Sequence, residues 1–281
     1  MPIAVLSDRA VLTVAGADAR HFLHNVVTCN VETLEAGAAR FGALLAPQGK
    51  ILADFFVYDA GEDTFRIDVP ASLAADLLKR LTLYRLRAKV TLTREEGLGV
   101  GAAWGGDAPP EGAEAFADPR LAAMGQRFFR PRADTDGADP VADGADAYDA
   151  HRIGLGIPQG GADFVYGDAF PHETDMDQLG GVDFRKGCYV GQEVVSRMQH
   201  RGTARTRAVM ARFDNAPEAG REIMAGEKTV GRMGSSAGQA GIALVRLDRA
   251  ADARAAGLPL VAGGIEVTLV RPDWATFAME P

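Results

Sequence analysis

Residues 170–202 read F-P-H-E-T-D-M-D-Q-L-G-G-V-D-F-R-K-G-C-Y-V-G-Q-E-V-V-S-R-M-Q-H-R-G, and the candidate chemistry of the chain is concentrated in this stretch. At its centre Gly187 comes directly before Cys188. Glycine frees the backbone at that point, so the sequence predicts that the thiol lies on a tight turn. Around the turn the charge changes sign: residues 134–183 carry twelve acidic side chains and one arginine, whereas residues 185–207 carry six basic side chains and one glutamate. The basic segment is either a solvated face or a rim for an anionic ligand.

The residues after Cys188 predict an amphipathic helix that ends at Gly202. Its apolar positions repeat at i, i+4 and i+8, and they are Val190, Val194 and Met198. Cys188 is therefore expected at a helix N-terminus beside Lys186, where the helix dipole and the cation favour thiolate over thiol. The alternative is a buried and inert cysteine.

The octapeptide K-G-C-Y-V-G-Q-E at residues 186–193, together with its flanks, resembles the signature of the YgfZ family. Members of this family are tetrahydrofolate-dependent proteins that help to assemble or repair iron–sulfur clusters, and they are relatives of the glycine cleavage T-protein, an aminomethyltransferase. The resemblance extends along nearly the whole chain. It includes G-A-D-A-R-H-F-L at residues 16–23, A-L-L-A-P-Q-G-K-I-L-A-D-F-F-V-Y at 43–58 and S-S-A-G-Q-A-G-I-A-L-V-R at 235–246.

This resemblance implies an α+β fold of two intertwined α+β subdomains around a central ligand cavity, with a C-terminal β-barrel. The residue pattern agrees, because strands alternate with short helices at first and only short strand runs follow Gly202. The expected division is a first folate-binding part at 1–130, an Asp/Gly/Ala-rich linker at 131–147, a second folate-binding part with the octapeptide at 148–204, and the barrel at 205–281.

Local patterns give more detailed expectations for the first part. Asp18 and Ser72 are predicted to cap two helices. Strands are predicted over 40–45 and 51–58, joined by a P-Q-G-K turn, and over 86–93.

The resemblance also implies roles for individual residues. Glu173 matches the T-protein glutamate that accepts the pterin N–H and amino groups, a pairing that suits one carboxylate. Phe170, Phe184 and Tyr189 are candidate aromatic walls for the aminobenzoate ring. The anionic folate tail would be received by Arg197, Arg201 or Arg205, a choice that the spacing leaves open. The predicted cofactor contacts are Phe170, Glu173, Tyr189, Gln192, Glu193 and Arg201.

One departure from the T-protein pattern bears on the reaction. T-proteins carry G-G-x-x-D-D, whereas this chain has Gly49-Lys50-Ile51-Leu52-Ala53-Asp54, with alanine in place of one acid. The predicted catalytic set is Cys188, Lys186 and Asp54, and no metal site is predicted.

Three functions follow from these residues. The leading hypothesis is a tetrahydrofolate-binding protein that supports iron–sulfur cluster assembly or repair in client enzymes through Cys188. The second is a folate-dependent aminomethyltransferase or another one-carbon transferase, and the third is a regulatory or storage module for folate. The resemblance also implies a link to tRNA modification through iron–sulfur enzymes.

Bulk properties limit the partners. The 281-residue chain has a net charge of −8, which argues against a broad surface for nucleic acid or anionic membrane. It has no long apolar stretch and no signal-peptide pattern at its start, and its two cysteines lie far apart in sequence. We therefore expect a cytoplasmic protein without a disulfide framework, whose partners are folate and iron–sulfur client or assembly proteins.

Overall fold

The computed structural model describes residues 2–132, 144–202 and 204–279. This part of the chain forms sixteen strands, five α-helices and one short 3-10 helix at Ala122–Met124. The elements, in chain order, are β1 (Ile3–Val5), β2 (Arg9–Ala15), α1 (Ala19–Val26), β3 (Ala39–Leu45), β4 (Ile51–Gly61), β5 (Thr64–Pro70), α2 (Ala71–Tyr84), β6 (Thr91–Glu95), β7 (Leu98–Ala103), β8 (Glu114–Ala117), β9 (Gln126–Pro131), α3 (Ala145–Gly154), α4 (Gln192–Arg201), β10 (Thr206–Arg212), β11 (Glu222–Ala225), β12 (Lys228–Ala237), β13 (Ala240–Arg246), α5 (Leu247–Ala255), β14 (Leu260–Ala262), β15 (Ile265–Glu266) and β16 (Thr268–Val270).

The chain divides into two compact units, and each is built from two separate stretches of sequence. The first unit comprises Met1–Tyr148 and Leu179–Gln192, and the second comprises Asp149–Gln178 and Glu193–Pro281. Most of the expected linker at 131–147 lies outside the described residues, and the domain boundaries drawn from the sequence remain a prediction.

The first unit contains a five-stranded sheet in the order β3-β4-β5-β2-β6 and a four-stranded sheet in the order β1-β7-β9-β8. Helices α1 and α2 bury their apolar stripes on one face of the five-stranded sheet, with Phe22, Leu23, Leu77 and Leu81 in the shared core. Burial of these side chains stabilises the unit in proportion to the apolar area that they remove from water.

Side chains alternate between the two faces of β4, and this alternation positions the candidate site. Ala53 and Phe55 point into the core beneath the helices. Phe56 lies on the other face, where its ring centroid is 5.5 Å from Phe41 and 6.4 Å from Phe116. Asp54 shares the face of Phe56 by alternation.

Beside this aromatic cluster lies a buried ion-pair network. Asp68, which is fully buried, accepts from Arg9 at 2.6 Å and from Arg127 at 2.8 Å. The two guanidinium groups lower the pKa of Asp68, in opposition to burial, which raises it. This network ties β2, β5 and β9 together in the first unit.

The second unit is built on a seven-stranded antiparallel sheet in the order β15-β14-β11-β12-β13-β10-β16, which forms the predicted C-terminal barrel. Its interior is a continuous apolar cluster that includes Val209, Ile223, Val230 and Val245. The expected fold class, α+β with a terminal β-barrel, is confirmed.

The local predictions have mixed outcomes. The strands at 40–45 and 51–58 pair as expected, since Arg40 lies opposite Val57 and Ala43 lies opposite Asp54. Asp18 does precede α1, but its carboxylate accepts the N–H of Lys89 at 2.7 Å and makes no capping hydrogen bond.

Two other local predictions are wrong. Helix α2 begins at Ala71, after Pro70, so Ser72 lies inside the helix rather than at its N-cap. The predicted strand at 86–93 begins only at Thr91, because the chain first makes a turn in which Leu86 has a φ of +44°.

Candidate functional site

The octapeptide is held as a loop against the end of α1. Thr28 donates its hydroxyl to Gly181 O at 2.6 Å, and its own carbonyl accepts the N–H of Asp183 at 3.0 Å. Thr28 N also donates to Ala43 O, so Thr28 lies against the edge of β3. The segment before the octapeptide lies in turn against Thr28. The loop therefore starts from a fixed base.

Lys186 anchors the first half of the loop. Its ammonium donates to the carbonyl oxygens of His24, of Val27 at 2.5 Å and of Cys29 at 2.9 Å, so all three donors are used. These carbonyls lie at the C-terminal end of α1, where a cation is favoured. Burial lowers the pKa of Lys186 to about 8. This anchoring was not foreseen, because the acceptors lie more than 150 residues earlier in the chain.

Gly191 anchors the second half of the loop. It has a φ of +79°, and a Cβ at this position would lie 2.4 Å from Ala46 O and 3.0 Å from the Leu45 Cβ. Only glycine allows so close an approach to the β3–β4 turn. Gly187 also has a positive φ, +86°, but a side chain there would meet open space.

Cys188 lies between these two anchors and is exposed. The prediction that it lies at a helix N-terminus is wrong, since α4 begins four residues later, at Gln192. The predicted helix is present and is followed by Gly202, with a φ of +57°. Its fully buried apolar residue is Val195, whereas the three residues predicted for its apolar stripe are only half-buried.

Tyr189 is buried directly after the exposed cysteine. Its N–H donates to Gln192 Oε1 at 3.2 Å, and its ring centroid lies 5.3 Å from the Lys186 ammonium nitrogen. Burial, together with the nearby Asp183 carboxylate, raises its pKa to about 12. Within the described residues its hydroxyl has no hydrogen-bond partner although it is buried. A buried polar group without a partner is costly, so this hydroxyl is well suited to meet a polar ligand atom.

Asp54, the other residue of the first unit predicted to act chemically, is half-buried on β4. Ala53, which replaces a T-protein acid, is 3% exposed and points into the core on the opposite face. The substitution therefore removes no group from the face that carries Asp54.

A cleft of about 370 Å³ lies beside the thiol loop in the first unit, lined by Cys29, Asn30, Arg40, Gly180, Val182, Asp183, Phe184 and Arg185. Arg40 alternates with Phe41 and so lies on the sheet face opposite Asp54. Cys29 is buried, and burial raises its pKa to about 11.

The remaining predicted residues belong to the second unit. Glu173 is half-buried, and its Oε2 accepts the N–H of Phe170 at 2.8 Å, so one carboxylate oxygen already closes a local turn. Glu193 and Arg201 lie on α4 and are exposed. Arg205 is 3.9 Å from Asp248, a distance typical of a loose surface ion pair.

The second unit also contains a buried cluster that sequence reasoning missed. Arg207 donates to Asp177 Oδ1 at 2.6 Å, to Asp177 Oδ2 at 3.0 Å and to His172 O at 2.7 Å. Asp175 lies 3.3 Å from the same guanidinium, and burial raises its pKa well above the usual carboxyl range. The acidic residues of this segment gave no sign of the cluster in the sequence, because their partner Arg207 lies about 30 residues further along the chain.

The described residues contain no group of three His, Cys, Asp or Glu side chains placed to hold a metal ion. No helix in this part of the chain is long and apolar enough to cross a membrane.

Comparisons with known proteins agree with this architecture. The GCVT N-terminal domain matches residues 6–102, and the CAF17 C-terminal beta-barrel domain matches residues 205–277. The human iron–sulfur cluster assembly factor IBA57, mitochondrial, is 34% identical over 273 residues, which cover 85% of this chain and 76% of the human protein. The chain belongs to the IBA57 family.

Two fungal IBA57 homologues, both named mitochondrial, extend the comparison. The Pyricularia oryzae protein is 33% identical over 293 residues, with 92% of this chain and 75% of that protein covered. The Neurospora crassa protein is 34% identical over 228 residues, which cover 72% of this chain and 51% of that protein. The chain thus spans about half the length of several fungal IBA57 relatives.

The expectation of a cytoplasmic protein is wrong, because the names of these IBA57 relatives point to the mitochondrion. Among solved structures, the glycine cleavage system aminomethyltransferase T from Bartonella henselae superposes with a TM-score of 0.75. The match covers 97% of this chain and 86% of that one at 15% identity, so it establishes a shared fold.

Proposed function

We propose that this protein supports the assembly or repair of iron–sulfur clusters in client enzymes, with Cys188 as the working thiol and tetrahydrofolate as a bound cofactor. The observation that carries the proposal is the placement of Cys188: it is exposed, and its loop is fixed by Lys186 on one side and by Gly191 on the other. A sulfur presented in this way can reach another protein without a rearrangement of the fold.

The cluster is cargo in this proposal. Iron–sulfur clusters are held by several thiolates, so Cys188 would supply one sulfur, after loss of its proton, and a partner would supply the others. Rigid presentation of that sulfur lowers the entropy lost when the shared complex forms. The names of the relatives, which describe iron–sulfur cluster assembly factors, support this role. Iron–sulfur enzymes that modify tRNA are one class of client to test.

Residues of this chain fit a folate. The buried Tyr189 hydroxyl lacks a partner among the described residues and could pair with a polar atom of the pterin or aminobenzoate group. Glu173 retains one carboxylate oxygen beyond the one that accepts the Phe170 N–H. When bound, tetrahydrofolate would supply nitrogen atoms that carry one-carbon groups. The residues proposed to contact it are Phe170, Glu173, Tyr189, Gln192, Glu193 and Arg201.

A second candidate, a folate-dependent one-carbon transferase, is favoured by one observation. Asp54 keeps its place on the sheet face opposite the helices, and the lost acid at Ala53 belonged to the other face. Asp54 could therefore still give or take a proton at a folate nitrogen.

The test is to restore iron–sulfur enzyme activity in cells that lack their own IBA57-family protein. We expect the wild-type chain to restore activity, Cys188→Ala to restore less than a tenth of it, and the matched loop variant Val190→Ala to restore it fully. Calorimetry should show that Cys188→Ala binds tetrahydrofolate as the wild type does, whereas Glu173→Ala binds it more weakly.

Full restoration by Cys188→Ala would overturn the role of the thiol. Turnover of an aminomethyl or methylene donor that depends on Asp54 and not on Cys188 would support the transferase instead. Tolerance of all these changes would leave only a regulatory or storage role.

A further inference from the structure

The turn after α2 exposes an unusual amount of apolar surface. Leu83 is 68% exposed, Leu86 is 88% exposed and Tyr84 is 36% exposed, although Leu77 and Leu81 of the same helix are buried in the core. Three of the seven large apolar side chains that are exposed in the described residues thus lie within four positions. A concentration of this kind marks an interaction site more often than chance exposure.

The backbone presents Leu86 at a conformational cost. Its φ of +44° lies in the left-handed region, which a branched side chain rarely adopts. Within the described part of the chain the Leu86 side chain gains no burial in return, since it is 88% exposed. The strain at Leu86 is not offset by packing of its side chain within the first unit. Such uncompensated strain favours a functional contact with another molecule.

The turn is also held in one conformation. Ala88 N donates to Arg85 O at 2.8 Å, and Val90 N donates to Ala88 O at 2.9 Å. The N–H of Lys89 donates to the Asp18 carboxylate at 2.7 Å. Leu86 is therefore a fixed protrusion with a defined shape.

The sequence around this protrusion is rich in lysine and arginine, and the Asp18 carboxylate lies against the same turn. Residues 77–94 contain six lysines and arginines and no acid, in a chain of net charge −8. Arg80 pairs with Asp76 at 2.5 Å, and Arg94 pairs with Glu96 at 3.0 Å. Among the described residues, the side-chain nitrogens of Lys79, Arg87 and Lys89 have no carboxylate partner.

We propose that residues 79–89 form the docking surface for an acidic partner protein of iron–sulfur assembly, which receives Leu86 in an apolar pocket rimmed by carboxylates. This proposal rests on the proposed function for the identity of the partner. A small apolar centre within a charged rim is the usual anatomy of a protein interface, and arginine pairs with carboxylates through two parallel hydrogen bonds.

Two other classes of partner fit less well. A membrane surface would meet two leucines and one half-exposed tyrosine on a protein that is acidic overall, and lipid does not require a leucine of fixed orientation. Nucleic acid would require a wider basic surface than this turn provides.

The first experiment uses Leu86→Asn, because asparagine tolerates a left-handed φ and removes the apolar group. In cells that lack their own family member, we expect the wild type to restore iron–sulfur enzyme activity, and Leu86→Asn and Arg87→Glu/Lys89→Glu to restore less than a fifth of it. Val165→Asn, which alters another exposed apolar residue, should restore activity fully. Thermal unfolding should show Leu86→Asn to be at least as stable as the wild type.

The second experiment identifies the partner. A photoreactive phenylalanine in place of Leu86 is cross-linked in the same cells, the adduct is purified, and its affinity for the wild-type chain is measured. We expect the cross-linked partner to be an acidic protein. Its Kd for this chain should rise at least tenfold with Arg87→Glu/Lys89→Glu, and should return toward the wild-type value when an acidic residue of the partner is replaced by a basic one.

The outcomes separate the two proposals. Failure of the wild type to restore activity overturns the proposed function. The assignment of the partner to iron–sulfur assembly is then overturned as well. Restoration by both the wild type and Leu86→Asn overturns the docking surface alone. The docking surface would also be overturned if no protein adduct forms and the wild type instead binds phosphatidylserine vesicles or duplex DNA in a way that Arg87→Glu/Lys89→Glu abolishes.

Discussion

The Lys186 ammonium donates to the carbonyl oxygen of Cys29 at 2.9 Å, so a lysine of the thiol loop holds the backbone of the buried cysteine. The first prediction follows from this contact. Lys186→Met leaves three carbonyls at the end of α1 without their donor, and we expect the free energy of unfolding to fall by about 3 kcal/mol. Denaturant titration measures this fall. Arg185→Met, at an exposed neighbour, should change it by less than about 0.5 kcal/mol, and equal effects would refute the anchoring role.

The two loop glycines provide a matched pair. Gly191→Ala meets Ala46 O at 2.4 Å and also has an unfavourable φ, so it should lower the free energy of unfolding by about 3 kcal/mol or more. Gly187→Ala has the unfavourable φ but open space, and should cost about 1 kcal/mol. Thermal and chemical unfolding measure the loss of stability in each of the two variants. The prediction is wrong if Gly187→Ala is the more damaging change.

The two cysteines should differ in reactivity. Cys188 is exposed, whereas Cys29 is buried with a pKa of about 11. Since the thiolate is the reactive form, we expect one thiol to react with an aromatic disulfide reagent in the folded protein and the second only after unfolding. Cys188→Ser should abolish the reaction of the folded protein. A persistent fast reaction in that variant would contradict the assignment.

Tyr189→Phe separates ligand binding from stability. It removes a buried hydroxyl that has no partner within the described part of the chain, so the free protein should be unchanged or more stable by about 1 kcal/mol. If the hydroxyl contacts folate, the Kd for tetrahydrofolate should rise about tenfold, equivalent to roughly 1.4 kcal/mol. Calorimetry alongside thermal unfolding tests both parts. An unchanged Kd would remove Tyr189 from the folate site.

Asp175 should make stability depend on pH. Its pKa is raised in the folded state, so above the usual carboxyl value of about 4 the folded protein keeps a proton that the unfolded chain has released. The Asp175 contribution to stability is therefore present at low pH and declines as pH rises through this window. We expect Asp175→Asn to reduce that decline and to be neutral or stabilising at pH 7, as measured by unfolding across pH.

Asp177→Asn is the control for this cluster. It weakens two hydrogen bonds to the buried Arg207, at 2.6 and 3.0 Å, and should cost about 2 kcal/mol or more at neutral pH. If both variants behave alike, Asp175 is ionised in the folded state.

The sequence predicted the elements whose pattern is local. The β3–β4 pair follows from apolar runs on either side of P-Q-G-K, and the barrel follows from short strands separated by glycines. The octapeptide and its flanks indicated the family. These features depend on neighbours in the chain, which a sequence displays directly.

Features set by distant contacts were not predictable in this way. The spacing of Val190 and Val194 indicated the buried face of α4, yet Val195 is the residue that tertiary packing buries. The spacing of Lys186 and Cys188 suggested an electrostatic pair, whereas the lysine's donors are taken by carbonyls from α1. The apolar run after α2 resembled a strand, and only the backbone geometry at Leu86 shows that it begins as a turn.

The contact between Gly191 and the β3–β4 turn also has a mechanical consequence. No room exists for even a methyl group between Gly191 and Ala46 O, so the tip of the hairpin cannot move toward the thiol loop without pushing it. Strand β4 of that hairpin carries Asp54. A molecule that binds against Asp54 and displaces the hairpin toward that loop by a fraction of an ångström would therefore shift the loop that carries Cys188.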